Sequence, residues 1–165
     1  MIQPIAVEEY ISDLMESLGA LNLVTVQEAI DLITAAVVGE GRILLIGNGG
    51  SAATASHVVA DLMNGVRGTT KYAFEAVCLA SLVPSITALA NDHSYEEIFT
   101  RQLPWRISRC DVLWVFSASG DSRNVVHASQ EMKRRGGRVL LFSGKSGGAT
   151  VRHADVAFLA PSTNV

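Results

Sequence analysis

The chain has 165 residues, 48% of them hydrophobic and only 18% charged, which excludes a disordered chain and suits one domain with a real core. A formal net charge of −3 offers no general attraction to nucleic acid or to an anionic membrane, and no apolar run approaches membrane-spanning length. Cys78 and Cys110 lack metal-ligand spacing and read as small buried hydrophobes of a reducing compartment. No basic leader precedes Glu8, Glu9 and Asp13, so the expected location is the cytoplasm.

Two helices come first. Val7, Ile11, Leu14, Leu18 and Leu21 recur at heptad-like spacing, a seam suited to helix packing. Thr25-Val26-Gln27-Glu28 reads as a capping box for a second helix, whose apolar stripe Val26, Ala29, Ile30, Ile33 and Val37 runs until Gly39 and Gly41. Both helices precede the first strand and are additions to an α/β unit, one of them expected against another subunit.

Ile43 to Ile46 reads as a strand buried on both faces. It ends in Gly47-Asn48-Gly49-Gly50, and Ser51 opens an alanine-rich helix. A strand, a bare turn and a helix start form an anion cradle, because glycines admit a ligand to the backbone and the helix dipole favours negative charge. Asn48, Gly49, Gly50 and Ser51 are therefore candidates to hold a phosphorylated small molecule. On the helix, Ala52, Ala55, Val59, Leu62 and Met63 share the face expected on the sheet. Thr54, His57 and Asp61 share the opposite face, where an i,i+4 imidazole–carboxylate pair is either an ordinary solvated contact or part of a site.

Asn64 to Lys71 carries no helix or strand signature. Strands are expected at Phe74–Leu79, Val112–Phe116, Val139–Phe142 and Val156–Leu159. Helices are expected from Pro84 through Ala90, from Tyr95 to Leu103 until Pro104, and from Ser122 to Arg135. The alternation implies a parallel sheet covered on both faces. Lys133, Arg134, Arg135 and Arg138 cluster at a helix end, where cations suit the dipole.

Ser117-Ala118-Ser119-Gly120-Asp121-Ser122 follows the third strand. Hydroxyls at a strand's carboxyl end can donate to phosphate oxygens, although Ser, Asp and Gly also make ordinary helix caps. Paired with the glycine turn, Ser117, Ser119 and Ser122 become phosphate-binding candidates. Other sites fit less well. Gly47, Gly49 and Ala52 match a dinucleotide fingerprint, but the second strand ends in Cys78-Leu79-Ala80-Ser81 without the ribose-binding acid. Gly144-Lys145-Ser146 lacks the earlier glycine of a P-loop, since Val139 stands there, and no nucleophile elbow accompanies Ser51 and His57.

GNGGSAATASHVVADL, LANDHSYEEIF and SASGDSRN, in that order, resemble the sugar isomerase (SIS) domain, and within it the sedoheptulose 7-phosphate (phosphoheptose) isomerases. The resemblance runs from the N-terminal helices to Pro161. It implies one SIS domain over residues 1–165, with helices over 1–40 and an α/β core over 41–165. The implied fold is a flavodoxin-like three-layer sandwich on a five-stranded parallel sheet, assembled as a homotetramer with sites at subunit contacts. The implied activity interconverts sedoheptulose 7-phosphate and D-glycero-D-manno-heptose 7-phosphate for surface polysaccharide synthesis, with no cofactor required. The alternative is a non-catalytic phosphosugar-binding or regulatory protein.

By the same resemblance, Asn48, Gly49, Ser51, Ser117, Ser119 and Ser122 hold phosphate and Asp92 contacts the sugar. Asp61 stands where a glutamate usually serves as acid/base, and His57 with that acid is a zinc-ligand pair in some members. Two departures accompany these. Asp61 is one methylene shorter than the glutamate, and a misplacement of about 1 Å can cost about a hundredfold in rate. Ala118 replaces a common hydroxyl residue. The family's last helix, bearing a Gln and a second acid/base His, has no counterpart before Val165.

Overall fold

The computed structural model describes residues 6–65, 72–144 and 146–161. Its frame is a five-stranded parallel sheet in the order β2-β1-β3-β4-β5. The strands are β1 (Arg42–Ile46), β2 (Glu75–Cys78), β3 (Val112–Ser117), β4 (Arg138–Ser143) and β5 (Val156–Leu159). Strand β1 lies inside the sheet, between β2 and β3, and its apolar residues are buried from both sides: Ile43, Leu45 and Ile46 are fully enclosed and Leu44 nearly so. Ile43 pairs with Ala76 on one side and Val112 on the other. The order reverses direction beside β1, so the loops leaving β1 and β3 flank a topological switch point.

Helices α2 (Leu23–Val38), α3 (Gly50–Ala60), α4 (Val83–Asp92) and α5 (Arg123–Arg134) pack about this sheet, and α1 (Val7–Gly19) precedes them in the chain. One core joins Leu44, Ile46, Leu113, Val115 and Leu141 to Val125, Ala128 and Met132 of α5 and to Ile98 and Phe99. On the other face, Ile43, Leu45 and Cys78 meet Val37 of α2 and Ala55 of α3. An aromatic row of Trp114, Phe116, Phe142 and Phe158 crosses β3, β4 and β5, with neighbouring ring centroids 4.9–5.5 Å apart.

Several local expectations change. Helix α2 is capped by Asn22, whose side chain accepts from the Val24 and Thr25 N–H groups at 3.0 and 3.4 Å, so the Thr25 capping box does not form. Asn22 gains that role because the turn after α1 is only Ala20 to Asn22. The stripe of α2 buries Ala29 and Val37, but leaves Ile30 exposed. Tyr95 to Leu103 is not one helix. It forms two short 3₁₀ turns, Tyr95–Glu97 and Thr100–Gln102, around Ile98 and Phe99, adjacent residues that both enter the core. After α3 the chain widens into a π turn, Asp61–Gly65, which turns Met63 off the sheet and leaves it 51% exposed. Cys110 is half-buried, its sulfur lying where Gly39 has no side chain. Most of the expected loop from Asn64 to Lys71 lies outside the described residues.

Helix α1 has no buried residue, and Val7, Ile11, Leu14 and Leu18 stand 48–69% exposed. Among the described residues no single helix is long and apolar enough to cross a membrane.

Candidate functional site

The glycine turn is shaped by close approach. A Cβ on Gly47 would lie 2.7 Å from the Ser51 carbonyl carbon, so the chain can fold this tightly into α3 only without a side chain there. Gly49 has φ +53° and ψ −121°, a conformation that side chains resist. The Ser51 N–H bonds the Asn48 carbonyl at 3.0 Å and the Ala52 N–H bonds that of Gly49 at 3.0 Å, so the turn closes at Ser51. Gly49 and Gly50 are exposed at the amino end of α3, where the dipole favours an anion.

Beside it, Ser117 ends β3, buried, and its Oγ accepts the Gly120 N–H at 3.1 Å. The Ser119 Oγ accepts the Asp121 N–H at 3.2 Å. Each oxygen acts as acceptor within the loop, which leaves the hydroxyl hydrogen to donate outward. Ser122 precedes α5 and makes no side-chain cap, while its carbonyl accepts the Val125 and Val126 N–H groups. A second helix dipole thus points at the same loop cluster.

Three features of the site were not singled out by sequence reasoning. Asn124, within SASGDSRN, exchanges two hydrogen bonds with Asn48 at 2.9 and 3.0 Å and ties the two loops together. Tyr95 donates to Asn48 Oδ1 at 3.1 Å, which brings the segment after α4 over the glycine turn. The loop after β4 braces the serine loop: the Gly144 N–H bonds the Ala118 carbonyl at 2.9 Å, Thr150 Oγ1 bonds the Gly120 carbonyl at 2.6 Å, and the Ala149 N–H bonds Asp121 Oδ1 at 2.8 Å. Gly120 has φ +69°, and a Cβ there would lie 2.0 Å from the Gly147 oxygen. The only sequence signals were an asparagine and a tyrosine inside motifs already quoted.

Asp92 ends α4, exposed, and accepts from Asn91 Nδ2 at 2.9 Å. It lies three residues from Tyr95, and the Arg123–Glu96 ion pair at 2.8 Å fastens that segment to the start of α5. His57 and Asp61 do face each other, with Nε2 3.5 Å from Oδ2 and side chains 79% and 68% exposed. They follow Ser51 by six and ten residues, about 9 and 15 Å along a helix of 1.5 Å rise. They are therefore displaced from the cradle, along the face leading away from it. Among the described residues no three His, Cys, Asp or Glu side chains group as a metal site. Zinc takes about four ligands, so the pair supplies only half a set, and the zinc that the resemblance allows finds no full ligand set among the described residues of one chain.

The parallel order, the glycine turn at a helix start and the hydroxyl loop across the switch point define an α/β protein whose sheet presents, at its carboxyl edge, backbone and hydroxyl donors suited to an anion. A family model described as SIS domain matches residues 8–144. The phosphoheptose isomerase of Thermodesulfovibrio yellowstonii is 35% identical over 141 residues, 86% of this chain and 70% of that protein. That of Helicobacter pylori is 33% identical over 165 residues, 98% of this chain and 85% of the relative. The solved phosphoheptose isomerase of Neisseria gonorrhoeae superposes with a TM-score of 0.80 at 32% identity, covering 94% of this chain and 82% of that one. The chain belongs to the SIS-domain family of phosphoheptose isomerases.

Proposed function

We infer that this protein is an aldose–ketose isomerase that interconverts sedoheptulose 7-phosphate and D-glycero-D-manno-heptose 7-phosphate. The observation that carries the reading is the likeness to phosphoheptose isomerases over nearly the whole chain. The geometry agrees with it: an anion cradle at the start of α3 is separated from an acid/base pair further along the same helix. A heptose 7-phosphate likewise separates its phosphate from the reacting C1 and C2 by most of its carbon chain.

In this reading Asn48, Gly49, Gly50, Ser51, Ser117, Ser119 and Ser122 hold the phosphate and Asp92 meets the sugar. Asp61 removes the proton from C1 of the opened ketose while O2 gains one, which gives the enediol. Return of a proton to C2, with loss of the O1 proton, gives the aldose. His57 orients Asp61 or shares the proton. No step above passes through a metal, and His57 and Asp61 by themselves would leave a zinc ion two ligands short.

The residues act within one SIS domain in the cytoplasm, and the chain assembles as a homotetramer through α1. Support for assembly comes from that helix, whose apolar stripe is left unburied. Light scattering at micromolar concentration should show a tetramer, and a monomer would refute this part.

The functional test is conversion of sedoheptulose 7-phosphate, with and without added zinc, by wild type and Asp61→Asn. Turnover in the variant should fall by at least about 100-fold with substrate binding retained. Wild-type protein that binds the phosphosugar without converting it would mark a sensor, and full activity in Asp61→Asn would show a different base.

A further inference from the structure

Asn124 is 2% exposed, and its Oδ1 accepts the Val125 N–H at 2.9 Å. A main-chain N–H can only donate, so this contact fixes which end of the carboxamide is oxygen. The other end, Nδ2, then donates to Asn48 Oδ1 at 2.9 Å, while Asn48 Nδ2 donates back to Asn124 Oδ1 at 3.0 Å. Asn48 Oδ1 being an acceptor, the Tyr95 hydroxyl at 3.1 Å must be the donor. One backbone group thus sets the direction of every hydrogen bond out to the phenol.

Two chemical consequences follow for the site. Asn48 Oδ1 receives two donors, which fills both its lone pairs, so the carboxamide keeps only one Nδ2 hydrogen for a ligand. The Tyr95 proton is committed to Asn48, so its oxygen faces outward as an acceptor, on a side chain 56% exposed. The pair therefore reads a ligand in two senses. Asn48 requires an acceptor, such as a phosphate oxygen, and Tyr95 requires a donor, such as a sugar hydroxyl.

We propose that Asn124 is a positioning residue that fixes Asn48 as a donor toward the phosphate, and that Tyr95 accepts a hydrogen bond from a hydroxyl of the bound sugar. This rests on the phosphosugar reading above. It goes further in assigning the sugar's recognition to a phenol held in one orientation by a buried amide.

The test compares calorimetric binding of sedoheptulose 7-phosphate with competition by inorganic phosphate. Tyr95→Phe should weaken the phosphosugar about 10-fold, the worth of one neutral hydrogen bond, while inorganic phosphate competes as in wild type. Asn124→Asp supplies a second readout. The protonated acid can still donate to Asn48 Oδ1, whereas the ionised acid cannot. Phosphosugar affinity of this variant should therefore fall about 10-fold more than wild type between about pH 5.5 and pH 8.5, burial having raised the new carboxyl's titration. A pH response of Asn124→Asp equal to that of wild type would overturn the role of Asn124, and Tyr95→Phe decides the sugar contact independently of it. Equal weakening of phosphosugar and inorganic phosphate in Tyr95→Phe would reduce Tyr95 to a structural prop and overturn the proposal, as would unchanged phosphosugar affinity. Wild type that binds the phosphosugar without turnover would break the isomerase reading and leave this comparison valid; wild type that does not bind it would overturn both.

Discussion

The two ends of the one sheet are held by different chemistry. At the amino edge, carboxylates clamp strands together. Asp111 receives the Arg42 N–H at 2.8 Å, the Arg42 guanidinium at 2.7 Å and the Ser108 N–H at 2.7 Å, joining β1 to β3. Asp155 receives the Val139 N–H at 2.8 Å, Lys133 at 2.6 Å and Arg138 at 3.1 Å, joining β4 to the entry of β5. Burial works against ionising both acids, but these hydrogen bonds and cations outweigh it and hold each carboxyl below its usual range. At the carboxyl edge most ties are neutral, amide to amide, hydroxyl to carbonyl, and glycine against glycine backbone, beside the Ala149 N–H on Asp121 and the exposed Arg123–Glu96 pair. An edge built this way leaves hydrogen-bond donors and two helix termini for an incoming anion. The contrast separates stability from function within the same strands.

The clamp is the place to break stability alone. Asp111→Ala would leave Arg42 without its carboxylate and should cost about 3 kcal/mol, the low end for breaking a buried pair because Arg42 is partly exposed. Chemical denaturation should show that loss while the KM for sedoheptulose 7-phosphate at low temperature stays within about 2-fold of wild type. A rise in KM as large as the stability change would mean that the two edges are not independent.

Gly120→Ala attacks the other edge. The added methyl meets the Gly147 carbonyl and a left-handed backbone, so about 2 kcal/mol of stability should go, from overpacking and strain together. Phosphosugar affinity should fall by at least about 10-fold as the serine loop shifts. Retained affinity would show that the loop's shape is not what binds.

Ser119→Asp sharpens the contrast further. The residue is exposed, so stability should stay within about 0.5 kcal/mol. The new charge should repel the phosphate and cost about 10-fold in affinity. Unchanged affinity would remove Ser119 from the site.

The smallest effect is on the acid limb of stability. A carboxyl with a lowered folded-state value contributes stability above its unfolded value, near 4, and loses it as pH falls toward the folded value. Asp111, Asp155 and Glu131, the last lowered to about 2 beside Arg134 and Arg135, all act in this sense. Stability should decline from about pH 4 downward, and Asp111→Asn should flatten that slope. A variant as acid-sensitive as wild type would assign the effect to the other two acids.

Much of this was legible in the chain itself. The apolar run Ile43 to Ile46, the glycine turn and the start of α3 are local matters, settled by side-chain shape and by what glycine permits. Strand β5 falls at Val156–Leu159 as its pattern indicates. The serine loop is likewise visible because hydroxyls crowd the end of a buried strand. What the tertiary structure decided are relations between distant residues. Asn48 and Asn124 are 76 positions apart, and Arg42 and Asp111 are 69 apart. No local periodicity encodes that they meet; the strand order brings β1 beside β3, and only then does an amide or a guanidinium find its partner. Core packing also overrode local pattern between Tyr95 and Leu103, where two adjacent buried side chains split a helical repeat into short turns. The sequence by itself determined the elements and the chemistry at their ends, because those depend on neighbours along the chain. Which ends share a site, and in which direction their hydrogen bonds run, depended on packing across the sheet.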